Sequence, residues 1–125
     1  VQNSNSEFKI EFKKRLYIFV LKILKLVQSI ESKTVSRILV DQVVRSATSI
    51  LANFVEGQAS SSRREFVNFM QISLKSANET KVWITLLRDT GTITVEDSVI
   101  ILKENIEIAK VLASIVISTK GKKII

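Results

Sequence analysis

The sequence predicts an all-α protein, an antiparallel up-and-down four-helix bundle. Three observations lead there. The chain has no proline and three glycines in 125 residues, too few for a fold made of many tight turns. Apolar residues recur every three or four positions in four long stretches, the spacing of one helix face. Short polar segments separate the stretches, which makes successive helices antiparallel neighbours. A hydrophobic content of 46% with 25% charged residues is that of a globular chain, and this length is enough for one core. No internal repeat, low-complexity segment or second domain is visible, so residues 7–119 form the bundle between a polar tail (1–6) and a basic tail (120–125).

The first helix spans about 7–31. At roughly 100° per residue, Glu7, Glu11, Lys14, Arg15, Lys22 and Lys25 gather on one narrow face. Phe8, Phe12, Leu16, Phe19, Val20, Ile23, Leu24, Leu26, Val27 and Ile30 cover the rest. That apolar arc is about twice the 100° stripe a surface helix uses to reach one core. The helix is therefore expected to be covered on two sides, within its own bundle and at an oligomer interface; the lysines and Tyr17 make a poor membrane-adsorbing face. The greasy run "LYIFVLKILKLVQSI" is too short to span a bilayer and carries Lys22 and Lys25 in its middle. Without a signal-peptide pattern, the reading is a soluble, cytoplasmic protein with no membrane partner.

The second helix covers about 35–56, after a turn at "ESKT". Leu39, Val40, Val43, Val44, Ala47, Ile50, Leu51, Phe54 and Val55 form its apolar arc. Opposite runs a polar seam of Gln42, Ser46, Ser49, Asn53 and Glu56, with Asp41 and Arg45 beside it at pairing distance i, i+4. A solvated face would carry more Lys and Glu, so another helix is expected to cover the seam at least partly. Gly57 is read as the left-handed residue that closes the helix.

The third helix opens with "SRRE", where Ser62 as N-cap and Glu65 three residues on form a capping box. It runs to about 89 with Phe66, Phe69, Met70, Ile72, Ala77, Trp83, Ile84 and Leu87 inward, and Ser73, Ser76 and Thr80 in the same arc. Gly91 ends it. Thr94 with Asp97 caps the fourth helix, about 95–119, whose core positions are Ile101, Leu102, Ile108, Ala109, Leu112, Ile115 and Val116.

The residue inventory removes most chemistry. Histidine and cysteine are both absent, which excludes disulfides, thiol nucleophiles, imidazole catalysis and the usual zinc ligands. A bundle-type di-iron site needs E-x-x-H pairs. The candidate carboxylates Glu56, Glu65 and Glu79 read as helix caps and ion-pair partners, not as a metal or acid–base centre. We therefore expect no enzyme, no cofactor and no metal. The formal net charge of +7 favours polyanionic partners, RNA or DNA or a nucleic-acid-processing protein. Lys14, Arg15, Lys22 and Lys25 form a stripe, and several copies around a symmetry axis would multiply its field. The segment 60–64 offers phosphate-binding N–H groups at a helix start, but Ser62 and Glu65 satisfy those groups and Glu65 repels an anion. Contact of Arg63 and Arg64 with a nucleic-acid backbone is the better reading. No arginine-rich segment, recognition-helix signature or aromatic platform is present in the sequence, so binding would be electrostatic and poor in sequence specificity.

The stretch "QVVRSATSILANFVEG" (42–57) resembles the signature of a bacterial four-helix-bundle family, as does "SSSRREFVNFMQISLKSANETKVWITLLRD" (60–89) with its Ser-x-x-Glu. The family includes proteins encoded in intervening sequences of large-subunit ribosomal RNA genes and the accessory protein of diversity-generating retroelements. The resemblance implies a homopentamer of bundles and, for the retroelement members, a basic surface that engages a reverse transcriptase and nucleic acid. Carried over by position, the motif residues are Arg45, Ser49, Asn53, Glu56, Gly57, Ser76 and Glu79; their physics suggests polar pairs that fix helix register and subunit angle, not catalysis. One departure is Lys75, between Leu74 and Ser76, where many members have glycine at a close helix contact. Two functions follow: an oligomeric scaffold for nucleic acid or a nucleoprotein, or a structural or protein-interaction module with no nucleic-acid role.

Overall fold

The structure, a computed structural model, describes residues 4–121. Four helices, α1 (Ser4–Gln28), α2 (Thr34–Gln58), α3 (Arg63–Asp89) and α4 (Val95–Gly121), form an all-α up-and-down bundle. Each packs on its sequence neighbours and α4 closes back on α1, while among the described residues the backbones of the diagonal pairs stay apart and only their core side chains converge. The backbones run closest together between α2 and α3 and approach least between α1 and α4.

The boundaries follow from local chemistry, with some departures from expectation. The helix α1 begins at Ser4 instead of residue 7, so part of the predicted polar tail is helical, with Glu7 in the first turn near the positive dipole end. At the other end α4 extends to Gly121 with Lys120 in its last turn, which leaves only 122–125 of the predicted basic tail, outside the described residues. Ser36 ties the α1–α2 turn: its hydroxyl accepts from the Lys33 amide (2.9 Å) and donates to the Glu31 carbonyl (2.8 Å). Gly91 has a φ of 72°. Its amide donates to Arg88 O at 2.9 Å and that of Thr92 to Leu87 O at 2.9 Å, the Schellman closure of α3. The Thr94 hydroxyl caps α4 by accepting from the Asp97 amide at 3.0 Å.

Gly57 does not close α2. It lies within the helix, buried, without a positive φ. A Cβ there would run into Met70 Cε and press on Phe69 Cβ at 3.2 Å, so the glycine lets α3 approach. The helix closes instead at Ala59, whose amide donates to Glu56 O at 3.1 Å.

The core runs the length of the bundle. Phe12, Leu16, Phe19 and Ile23 of α1 meet Val43, Ala47, Ile50 and Phe54 of α2, Met70, Ala77, Ile84 and Leu87 of α3, and Ile108 and Leu112 of α4. Two residues assigned to inward arcs, Val55 and Ile72, sit at the surface instead.

Candidate functional site

The motif residues of the second and third helices come together along the α2–α3 joint, and small hydroxyl side chains make the joint. Ser49 and Ser76 share a hydrogen bond of 2.7 Å. Thr80 Oγ1 donates to Ser46 Oγ at 2.8 Å, and Ser73 Oγ donates to the Ile50 carbonyl at 2.7 Å. Asn53 Nδ2 reaches back to both the carbonyl and the hydroxyl of Ser49, each at 2.9 Å. Ser46, Ser73, Ser76 and Thr80 are buried, and each hydroxyl is satisfied, as burial requires. Coverage of the predicted seam is thus real at Ser46, Ser49 and Asn53.

The charged motif residues lie at the rim of this joint. Arg45, Glu56 and Glu79 are exposed. Arg45 and Glu79 line one small cleft of about 160 Å³ with Gln42, Ser46, Ser49 and Trp83, yet no ion pair joins them, nor Arg45 to Asp41, among the described residues. Glu56 lines a separate cleft with Glu65 at the α2–α3 corner. Lys75 points to solvent, so its departure from the family pattern falls outside the packing of a single bundle.

The α1 stripe divides. Lys14, Lys22 and Lys25 are exposed and take no part in the ion pairs among the described residues. Arg15 is committed elsewhere: Nε and Nη2 bind the two carboxylate oxygens of Glu104 on α4 at 2.7 and 2.8 Å. That hydrogen bonding raises the guanidinium pKa above its usual value, against a smaller lowering by burial. The pair is about two-fifths exposed on the arginine side, so it adds on the order of 0.5 kcal/mol to stability. The predicted apolar arc of α1 is buried or partly buried within the bundle except at Phe8, whereas Ile10 and Tyr17 to one side of the stripe and Ile18 within it, between Lys22 and Lys25, are exposed.

Arg63 and Arg64 lie at the end of the bundle where α3 starts and α4 stops. The capping box at this corner is shifted: the Glu65 amide donates to Ser62 Oγ at 3.1 Å, but the Glu65 carboxylate accepts from the Ser61 amide at 3.0 Å, not from Ser62. The Ser61 hydroxyl donates to the same oxygen at 3.2 Å. Two clefts open here. One, about 390 Å³, is lined by Arg63, Arg64, Val67, Asn68, Gln71, Thr119 and Lys120. The other, about 350 Å³, is lined by Phe8, Lys9, Phe54, Gln58, Arg63, Phe66, Ile115, Ser118 and Thr119. Sequence reasoning missed that Phe8 and Lys9 of α1 and Lys120 of α4 line these clefts with Arg63 of α3, because no local pattern joins residues of three helices.

No group of three or more metal-ligating side chains occurs among the described residues, and the carboxylates Glu56 and Glu79 line different clefts. By length and composition, α2 is the one helix among them apolar enough to cross a membrane. Its hydroxyl seam is bonded to α3 and its apolar face is the bundle core, so those properties are spent inside the fold.

Residues 9–114 match the family model described as 23S rRNA-intervening sequence protein. Among solved structures, the chain is similar to a protein of unknown function from the S23 ribosomal protein family of Bacteroides thetaiotaomicron. The two are 36% identical, with a TM-score of 0.77, over 84% of this chain and 97% of that one. No curated protein matches the chain.

Proposed function

The chain belongs to the 23S rRNA-intervening sequence protein family, and we propose that it acts as a non-enzymatic scaffold, assembled from several copies, whose basic surface engages nucleic acid or a nucleoprotein partner. A homopentamer is the assembly the family resemblance implies. The observation that carries the reading is the surface of α1: Lys14, Lys22 and Lys25 stand exposed beside Ile10, Tyr17 and Ile18. Exposed apolar side chains beside and among exposed cations suit a helix that meets both another copy and a polyanion. The rRNA setting in the family's name and the ribosomal-protein label of the Bacteroides relative agree with that partner class, and a cytoplasmic location goes with it.

A second reading is a structural or protein-interaction module with no nucleic-acid role. It is favoured by the Arg15–Glu104 pair, which removes one cation from the stripe. RNA and DNA binding measured at two salt concentrations separates the two. Electrostatic binding loses affinity steeply with salt, whereas no binding at low salt leaves the interaction module. Sedimentation at micromolar concentration tests assembly, and a stable monomer would remove the oligomeric scaffold. Tyr17→Lys is expected to dissociate the assembly while leaving the helical circular dichroism unchanged.

A further inference from the structure

We propose that the bundle end where α1 and α3 begin and α4 stops is a binding site for single-stranded nucleic acid, with a base against Phe8 and phosphates held by Lys9, Arg63, Arg64 and Lys120. The proposal rests on the nucleic-acid part of the reading above and moves the principal binding surface away from the α1 stripe.

The two end clefts share Arg63 and Thr119 as a common wall, so they adjoin. Among the described residues, four cations and no carboxylate line the two clefts. Such a one-sign cleft focuses its field on an anion. Helix dipoles do not decide the sign here, because the positive start of α3 and the negative end of α4 reach the same place. The side-chain cations do.

The groove also has an aromatic wall. Phe8 is 44% exposed and its ring stacks on Phe12 at 5.6 Å and 7°. Phe12 in turn meets Phe54 edge-on at 5.2 Å and 77°. The exposed ring is therefore oriented from beneath by buried ones, which spares a ligand the cost of ordering it. A half-exposed, pre-oriented ring beside clustered cations is the pairing by which proteins hold unpaired bases: stacking for the base, charge for the backbone. A duplex keeps its bases stacked inside and would use the cations without the ring. An anionic lipid surface or an acidic protein segment would also use the cations, with no call for a planar partner on Phe8.

The test is fluorescence anisotropy with a labelled oligouridylate and an RNA duplex of equal length, on the intact protein at low and moderate salt. The expected result is tighter binding of the single strand. Phe8→Leu, which keeps an apolar side chain on Phe12, should weaken single-strand binding by about tenfold and leave duplex binding unchanged. Arg64→Ala with Lys120→Ala should weaken both and reduce the single-strand salt slope by about 1.4, or roughly 0.7 for each phosphate no longer neutralised. A comparison variant carries Lys14→Ala, Lys22→Ala and Lys25→Ala, with folding of all variants checked by circular dichroism. Wild-type affinity in Phe8→Leu, or loss of binding confined to the α1 comparison variant, would overturn the site while leaving nucleic-acid binding itself in place. No binding of either RNA at low salt would remove the nucleic-acid reading and this site together.

Discussion

The α2–α3 joint and the α1 face are both helix packings, made from opposite materials. At the joint, serines, a threonine and Gly57 let two backbones come close, and hydroxyl bonds cross between them. On α1 the knobs are Phe12, Leu16, Phe19 and Ile23, side chains that form no directional bonds, with the Arg15–Glu104 clasp to α4 at their edge. The first arrangement fixes register, because a one-residue slide would leave several buried hydroxyls unpaired. The second fixes only that apolar surface be covered, which many apolar shapes satisfy. The lesson is that this bundle places its specificity in small polar side chains and its bulk burial in large apolar ones.

Substitutions can break that contrast, and the largest effect is expected at the closest approach. Gly57→Leu should destabilise by about 3 kcal/mol in urea titration, since it must displace the Met70 and Phe69 side chains. Gly57→Ala should be nearly neutral, because an alanine gains about 1 kcal/mol of helix propensity while the Met70 tip can swing aside. Equal stability of the two variants would show that the close approach is not required.

Next in size is a pair of near-isosteric changes, one on each side of the contrast. Thr80→Val removes the donor to Ser46 and should cost about 1.5 kcal/mol. Ile23→Leu on α1 should cost less than that, about 0.5–1 kcal/mol. A reversed order would mean that α1 is the more exacting surface.

The smallest effect belongs to the clasp. Arg15→Ala and Glu104→Ala should each cost about 0.5 kcal/mol at low salt, and the double variant no more than either alone. The loss should fade at high salt, as expected of a part-exposed pair; a salt-independent loss would point to packing of the arginine stem instead.

What the sequence made legible was whatever is written within one helix turn or two. The four helices, the Thr94 cap, the Gly91 closure and the presence of Ser73, Ser76 and Thr80 on one face all follow from spacing and local chemistry. Gly57 shows where that stops. A glycine after an apolar run reads as a left-handed stop, and Gly91 is one. Gly57 differs only in what lies opposite it, namely Met70 and Phe69 on the next helix. The same limit applies to charge. Arg15 sits in a basic stripe by sequence, but its partner is 89 residues away. The groove of Phe8, Arg63 and Lys120 gathers residues from three helix ends, and only the up-and-down return of the chain brings them together.

The wider spacing of α1 from its neighbours has a kinetic side. The helices α2, α3 and α4 follow one another through short turns, so their packing closes small loops and can form early. The α1 backbone keeps a greater distance from its neighbours, and its approach to α4 spans nearly the whole chain. In a single copy, then, α1 is the segment most readily released and last recovered. Its amide protons should exchange through an opening that leaves the other three helices closed, and at a rate that slows sharply once another copy covers its outer face.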